Sequence, residues 1–143
     1  MARAGYAARQ KATVRFEILD IDLLHCHEEI RSELLETLIE EIKDDGYIKK
    51  PLLVADKAYV ILDGHHRYEA LRRLGCRRAP CYVIDYFSDA VDLGLWPTAI
   101  EKGVQKQDVV ERGRAGLLYT PKTTRHTVRV PLPDVFTDLE DLM

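Results

Sequence analysis

Cysteine is scarce in this chain: the three present, Cys26, Cys76 and Cys81, form no CxxC pair. An odd, dispersed set excludes a disulfide scaffold and suits a reducing compartment, so a cytoplasmic protein is expected. No apolar run approaches the roughly 20 residues of a membrane span, and no secretory signal opens the sequence, so no membrane association is expected. A basic surplus is missing too, since 21 Lys and Arg stand against 24 Asp and Glu, for a formal charge of −3. Without that surplus there is no general attraction to nucleic acid, which disfavours DNA coating and nuclease-like DNA handling. Internal repeats and low-complexity linkers are also absent. The chain does have 143 residues, 46% of them apolar and 31% charged, enough for one globular domain with a real core.

Hydrophobic periodicity gives the order of elements. Residues 1–13 are small, polar and basic and read as a frayed arm, ahead of a domain over 14–132 and an acidic tail over 133–143. Val14–Leu19 reads as a strand. Ser32 is a suitable N-cap for a helix whose stripe is Leu34, Leu35, Leu38, Ile39 and Ile42, and Gly46 ends it. Ile48–Val54 and Tyr59–Leu62 read as strands, as does Ala79–Tyr86, with Pro80 near its start. A further strand over Ser88–Pro97 delivers Trp96, the only tryptophan, to a loop. Gln105–Arg114 reads as a helix and Thr127–Leu132 as a last strand. The acidic end, Asp134–Met143, reads as either a loose tail or a short docking helix. The fold class is α+β, a mixed sheet with packed helices.

The most informative stretch runs from Val60 to Leu71. An apolar strand stops at Asp63-Gly64, and a helical pattern with Ala70, Leu71 and Leu74 on one face follows until Gly75. A strand–turn–helix junction of this kind aims unpaired N–H groups and the positive end of the helix dipole at one spot, which suits a phosphate or carboxylate. Gly64 lets the backbone approach such a ligand, and Arg67 adds a bidentate donor. The plainer reading is that Asp63 caps the helix and the histidines face water. Two other polar clusters lie between apolar segments, His27-Glu28-Glu29 and Lys122-Thr123-Thr124-Arg125-His126. A carboxylate, an anion-binding helix terminus and a cationic, hydroxyl-rich segment make a sensible set for phosphoryl transfer, which needs charge neutralisation, alignment and a base. The histidines and Cys26 show no standard zinc spacing. Cys76 and Cys81 read as buried thiols, and Arg72, Arg73, Arg77 and Arg78 as a solvated face.

Asp63-Gly64-His65-His66-Arg67-Tyr68, with a strand before it and Ala70-Leu71-Arg72-Arg73-Leu74-Gly75 after it, resembles the nucleotide-binding motif of the ParB/sulfiredoxin superfamily. The Asp-Gly-His-His-Arg form is similar to that of its free L-serine kinases, a likeness that runs from about Val14 to Leu132. The resemblance implies a ParB/sulfiredoxin-like fold and a kinase forming O-phospho-L-serine, with free L-serine and a nucleotide as partners. It implies that Glu28 is the catalytic base and that Asp63, Gly64, His65, His66 and Arg67 hold nucleotide phosphates. Lys122, Thr123, Thr124, Arg125 and His126 would complete the phosphate site, while His27 and Trp96 would lie beside the amino acid. Mg²⁺ would be held mainly by phosphates, with Asp63 as the candidate protein ligand, and the nucleotide would be ADP or ATP ahead of CTP. The alternative is a non-catalytic ParB-like module that uses the same pocket as a nucleotide switch.

Overall fold

Two strands buried on both faces, β3 (Leu52–Ala55) and β5 (Arg78–Ile84), divide the core by their two-residue period. Leu52, Val54, Cys81 and Val83 point one way and pack with Leu35, Ile42, Ala70 and Leu71. Leu53, Ala55, Tyr82 and Ile84 point the other way and pack with Val91, Val109 and Val110. The computed structural model describes residues 14–143, so the expected N-terminal arm lies outside the described residues. Strands β1 (Val14–Asp20) and β4 (Ile61–Asp63) complete a four-stranded sheet in the order β1-β5-β3-β4. β5 runs parallel to β3, and the two outer pairings are antiparallel. Pro80, which has no N–H to give, lies opposite Ile18 of β1 and before the first residue paired to β3, so it stands outside the β3–β5 ladder.

Helices α1 (Ser32–Asp45) and α2 (His65–Arg73) cover the first face, and α3 (Lys106–Ala115) covers the second with strand β6 (Val91–Leu95). β6 pairs antiparallel with β7 (Thr124–Val128). This is the mixed-sheet α+β architecture expected from the sequence. Leu71 shows what holds it together: it is fully buried, and burial of such a side chain stabilises by about 1.5–3 kcal/mol.

The local departures have physical causes. Arg31, not Ser32, occupies the N-cap of α1, and no side chain caps it, while Gly46 ends the helix at φ 75° as expected. The expected strand Ile48–Val54 breaks around Pro51 into β2 (Tyr47–Ile48) and β3, and the Lys49 carbonyl turns away to accept from Val135 N–H at 2.9 Å. The last strand begins at Thr124, not Thr127, because the β6 ladder pairs Leu95 with Thr124 and Leu93 with His126. Three residues expected in a loop are therefore held in a strand. At the acidic end, β8 (Thr137–Asp138) pairs with β2, and a 3-10 turn over Leu139–Leu142 buries Leu142 fully in the first core. Docking is the form this segment takes.

Candidate active site

The three polar clusters converge on one cleft of about 710 Å³. Glu28, Asp63 through Arg67, Trp96, Lys122, Thr124, Arg125 and His126 all line it. Backbone pairing brings the first cluster there. His25 is bridged to Val60 at the start of β4, and Glu28 is bridged to Tyr119 in the approach to β7. The segment between them is thus stitched to both walls.

At the β4–α2 junction, Gly64 occupies the N-cap with φ 106°, a conformation that strains any residue with a Cβ. A Cβ there would also lie 2.7 Å from Leu52 Cδ2 and 2.8 Å from Arg67 Nη2. No side chain caps the helix, so the reading of Asp63 as a cap is set aside. The first intrahelical bond is Tyr68 N–H to the Gly64 carbonyl at 2.9 Å, which leaves the His65, His66 and Arg67 N–H groups without helical acceptors. Asp63 is largely exposed, and its Oδ2 lies 3.7 Å from Arg67 Nη2. Arg67 Nε is buried with no hydrogen-bond partner. A guanidinium stays protonated, so this N–H is an unmet donor beside an uncapped helix terminus. An anion fits that vacancy of acceptors.

The third cluster does something different from what its sequence suggests. Glu28 Oε1 accepts from Thr123 N–H at 3.1 Å and Thr124 N–H at 2.9 Å, and Oε2 accepts from Lys122 N–H at 3.2 Å. The segment is expected at the phosphates, yet its backbone donors hold the carboxylate. Thr123 is fully buried with its hydroxyl donating to the Thr120 carbonyl at 2.7 Å, so its side chain cannot reach a ligand. The Thr124 hydroxyl lies between His27 Nε2, at 2.9 Å, and Glu28 Oε1, at 3.1 Å. Lys122 and Arg125 are left as the cations this segment presents.

The histidines divide into scaffold and wall. His27 is fully buried and its Nδ1 meets the Ile61 carbonyl at 2.8 Å, so both ring nitrogens are taken by protein and it cannot contact a substrate directly. His65 Nε2 accepts the His27 N–H at 3.2 Å, and His126 Nε2 lies 2.8 Å from the Tyr86 hydroxyl. Nδ1 of His126 has no well-formed partner, although the Leu62 backbone lies near enough to favour its protonation. Burial lowers all three, His27 to about 3, His126 to about 4 and His65 well below the usual value. Neutral imidazoles are poor phosphate ligands, so His65 and His126 shape the site more than they charge it. His66 remains half-exposed in the cleft, with Nε2 accepting Arg31 N–H at 2.9 Å.

Trp96 lines the cleft, its backbone N–H donating to the Thr123 carbonyl at 3.1 Å. The Arg125 guanidinium carbon lies 4.8 Å from its ring centre and Lys122 Nζ 5.7 Å, within cation–π range. The indole is a platform that holds two cations over the cleft.

Sequence reasoning missed the cleft's other arm, lined by Leu34, Leu38, Ile42, Tyr47, Ile48, Lys49 and Lys50. Leu34 and Leu38 read as core positions by helical spacing, yet Leu34 is 49% exposed and faces this arm. Nothing in the sequence marks the difference, because Leu34 keeps the helical spacing of a core position. Among the described residues no group of three or more His, Cys, Asp or Glu is arranged to hold a metal ion. A divalent ion would therefore need ligand oxygens besides a single protein carboxylate such as Asp63.

The chain resembles known proteins in sequence and in fold. The sequence signature of the ParB N-terminal domain matches residues 5–94. The chain is 37% identical over 103 residues to the ADP-dependent L-serine kinase SerK of Thermococcus kodakarensis, a stretch covering 69% of this chain and 42% of that protein. It is 38% identical over 94 residues to an ATP-dependent L-serine kinase of Staphylothermus marinus, covering 62% and 37% respectively. The chain thus spans less than half the length of these curated relatives. A solved free serine kinase in complex with AMP has the same fold, with a TM-score of 0.83 over 90% of this chain and 93% of that one, at 22% identity.

Proposed function

The chain belongs to the ParB N-terminal domain family, and on that premise we propose that it is a kinase of free L-serine. It transfers the terminal phosphoryl group of ADP or ATP to the serine hydroxyl and releases O-phospho-L-serine. The observation that carries this reading is a positioned carboxylate, Glu28, in the same cleft as an uncapped helix terminus with an unmet buried arginine donor. A site that only bound nucleotide would use the carboxylate solely to tie down the Lys122, Thr123 and Thr124 backbone, at the cost of a negative charge that repels a polyphosphate.

Arg67 and the N–H groups of His65 to Arg67 hold the phosphates, with Lys122, Arg125 and His66 adding donors along the cleft. The apolar arm at Leu34, Leu38, Ile42, Tyr47 and Ile48 takes the nucleoside. Serine lies toward Trp96, with its hydroxyl near Glu28. Glu28 removes the hydroxyl proton as the oxygen attacks phosphorus, and the bridging P–O bond breaks toward the departing nucleotide. Bound together with the phosphates, Mg²⁺ would supply further charge neutralisation, and Asp63 at the rim is the carboxylate that would join its ligands. Three free thiols fit a cytoplasmic setting.

The test is direct. Purified protein incubated with L-serine, Mg²⁺ and ADP, ATP or CTP in turn should form phosphoserine with ADP or ATP. Nucleotide binding without phosphoserine under any of the three would replace the kinase with a nucleotide switch.

A further inference from the structure

One edge of the main sheet is closed and the other is open. Beside β4, the His25 N–H donates to the Tyr59 carbonyl at 2.9 Å, and the His25 carbonyl accepts from Ile61 N–H at 2.8 Å. β1 is the other end of the strand order, and among the described residues only β5 pairs with it. The phase of its ladder is read from Ile21, whose N–H donates to the Arg77 carbonyl at 2.8 Å. Ile21 and Arg77 continue the register of Asp20 with Arg78. In an antiparallel ladder every second residue turns its N–H and C=O to the neighbour. Arg15, Glu17 and Leu19 therefore bond to β5, while Val14, Phe16, Ile18 and Asp20 hold their backbone groups out at the open edge. Phe16 and Ile18 are also 38% and 39% exposed, and they share one face of the strand.

An open edge is a template for another strand, and the run from Val14 to Ile18 fits an antiparallel copy of itself. The two-fold axis must pass through a residue, because a half-step would set outward groups against inward ones. Centred on Arg15 or Glu17, it would set like charges face to face. Centred on Ile18 or Leu19, it would set an apolar residue against Asp20. Centred on Phe16, it sets Val14 against Ile18, Phe16 against itself and Arg15 against Glu17. The outward residues then form the hydrogen-bonded pairs, and Arg15 meets Glu17 at the non-bonded pair, where side chains come closest. Arg15 Nε already lies 3.2 Å from Glu17 of its own strand, and Asp56 holds the guanidinium at 3.0 and 3.1 Å. Two copies would close a ring of alternating charge. Charges that merely guard an edge repel a second copy, whereas these attract one. We propose that β1 is a self-recognition edge, at which two copies of the chain pair antiparallel about Phe16 and join their four-stranded sheets into one. The cleft lies at the β4 end of each sheet, away from this seam.

The experiment is sedimentation of the full chain over a concentration series, with amide hydrogen exchange at both ends of the series. The parent should pass from 16.4 kDa when dilute to twice that mass when concentrated. Its Phe16 and Ile18 amides should gain protection with the dimer, while those of Arg15, Glu17 and Leu19 are protected throughout. Phe16→Lys and Phe16→Glu should each stay monomeric at concentrations that dimerise the parent, because position 16 meets itself across the axis. Mixed in equal amounts, the two variants should recover the dimer. A parent that is monomeric throughout overturns the proposal, and so does a dimer whose Phe16 and Ile18 amides exchange as in the monomer. Neither result depends on a variant folding. Folded variants that dimerise alone, or that stay monomeric when mixed, overturn it as well.

Discussion

The guanidinium of Arg67 lies over Gly64 so closely that a Cβ on Gly64 would fall 2.8 Å from Nη2 and 3.2 Å from Nε. The helix terminus and the cation act as one surface, and the missing side chain makes that possible. Gly64→Ala should cost about 1–3 kcal/mol of stability from the left-handed conformation alone. It should also displace Arg67 and weaken nucleotide binding. Thermal unfolding and calorimetry on the same variant check both effects; unchanged affinity would separate Arg67 from the phosphates.

Arg67→Ala removes the unmet Nε donor and its charge. Nucleotide affinity should fall by about 1.5–3 kcal/mol, the range for hydrogen bonds to charged groups. Arg67→Lys should not restore it, because an ammonium has no planar fork. Calorimetry showing full affinity in Arg67→Lys would mean that a point charge suffices there.

Much of this site was legible in the chain. The turn at Asp63-Gly64, the helix after it and the mixed sheet follow from residue types and spacing, whereas the meeting of the three polar clusters was implied only by the family resemblance. The use of the Lys122, Thr123 and Thr124 N–H groups was not legible, because side-chain identity does not say where a backbone donor points. Thr124-Arg125-His126 reads as a polar loop, yet its ladder to Leu93 and Leu95 makes it a strand. Leu34 and Leu38 fit a helical core stripe, and only the shape of the cleft beside α1 gives them another use. His27 carries the chemistry of a ligand in sequence and the burial of a core residue in the fold.

The buried histidines set an acid limit. His27, His65 and His126 are neutral in the fold, with values lowered by burial, but each would take a proton near 6.5 once unfolded. The unfolded chain then binds more protons than the native one. Their contribution to stability is complete above 6.5 and is lost as pH falls from there toward the lowered values, by about 1.4 kcal/mol per pH unit for each histidine. Denaturant unfolding between about pH 7 and 4 should show a steep decline starting near 6.5. A flat profile across that interval would contradict the neutral cluster.

Trp96 should act on the amino acid more than on the nucleotide. Trp96→Leu removes the face over which Arg125 and Lys122 lie, a loss of about 0.5–2 kcal/mol for each contact. The KM for serine should rise several-fold, with a smaller fall in nucleotide affinity because Lys122 and Arg125 lose their platform. A variant that loses nucleotide affinity instead would move Trp96 to the nucleotide's side of the cleft.

Glu28 is the residue on which kinase and switch part. Glu28→Gln keeps an oxygen to accept the Thr123 and Thr124 N–H groups and removes the base. Nucleotide affinity and single-turnover phosphoserine formation should therefore be measured together in the parent and this variant. The account predicts affinity equal to the parent's or slightly higher, with product formation lower by about 10²–10⁴-fold. Equal rates of phosphoserine formation in the two proteins would contradict it.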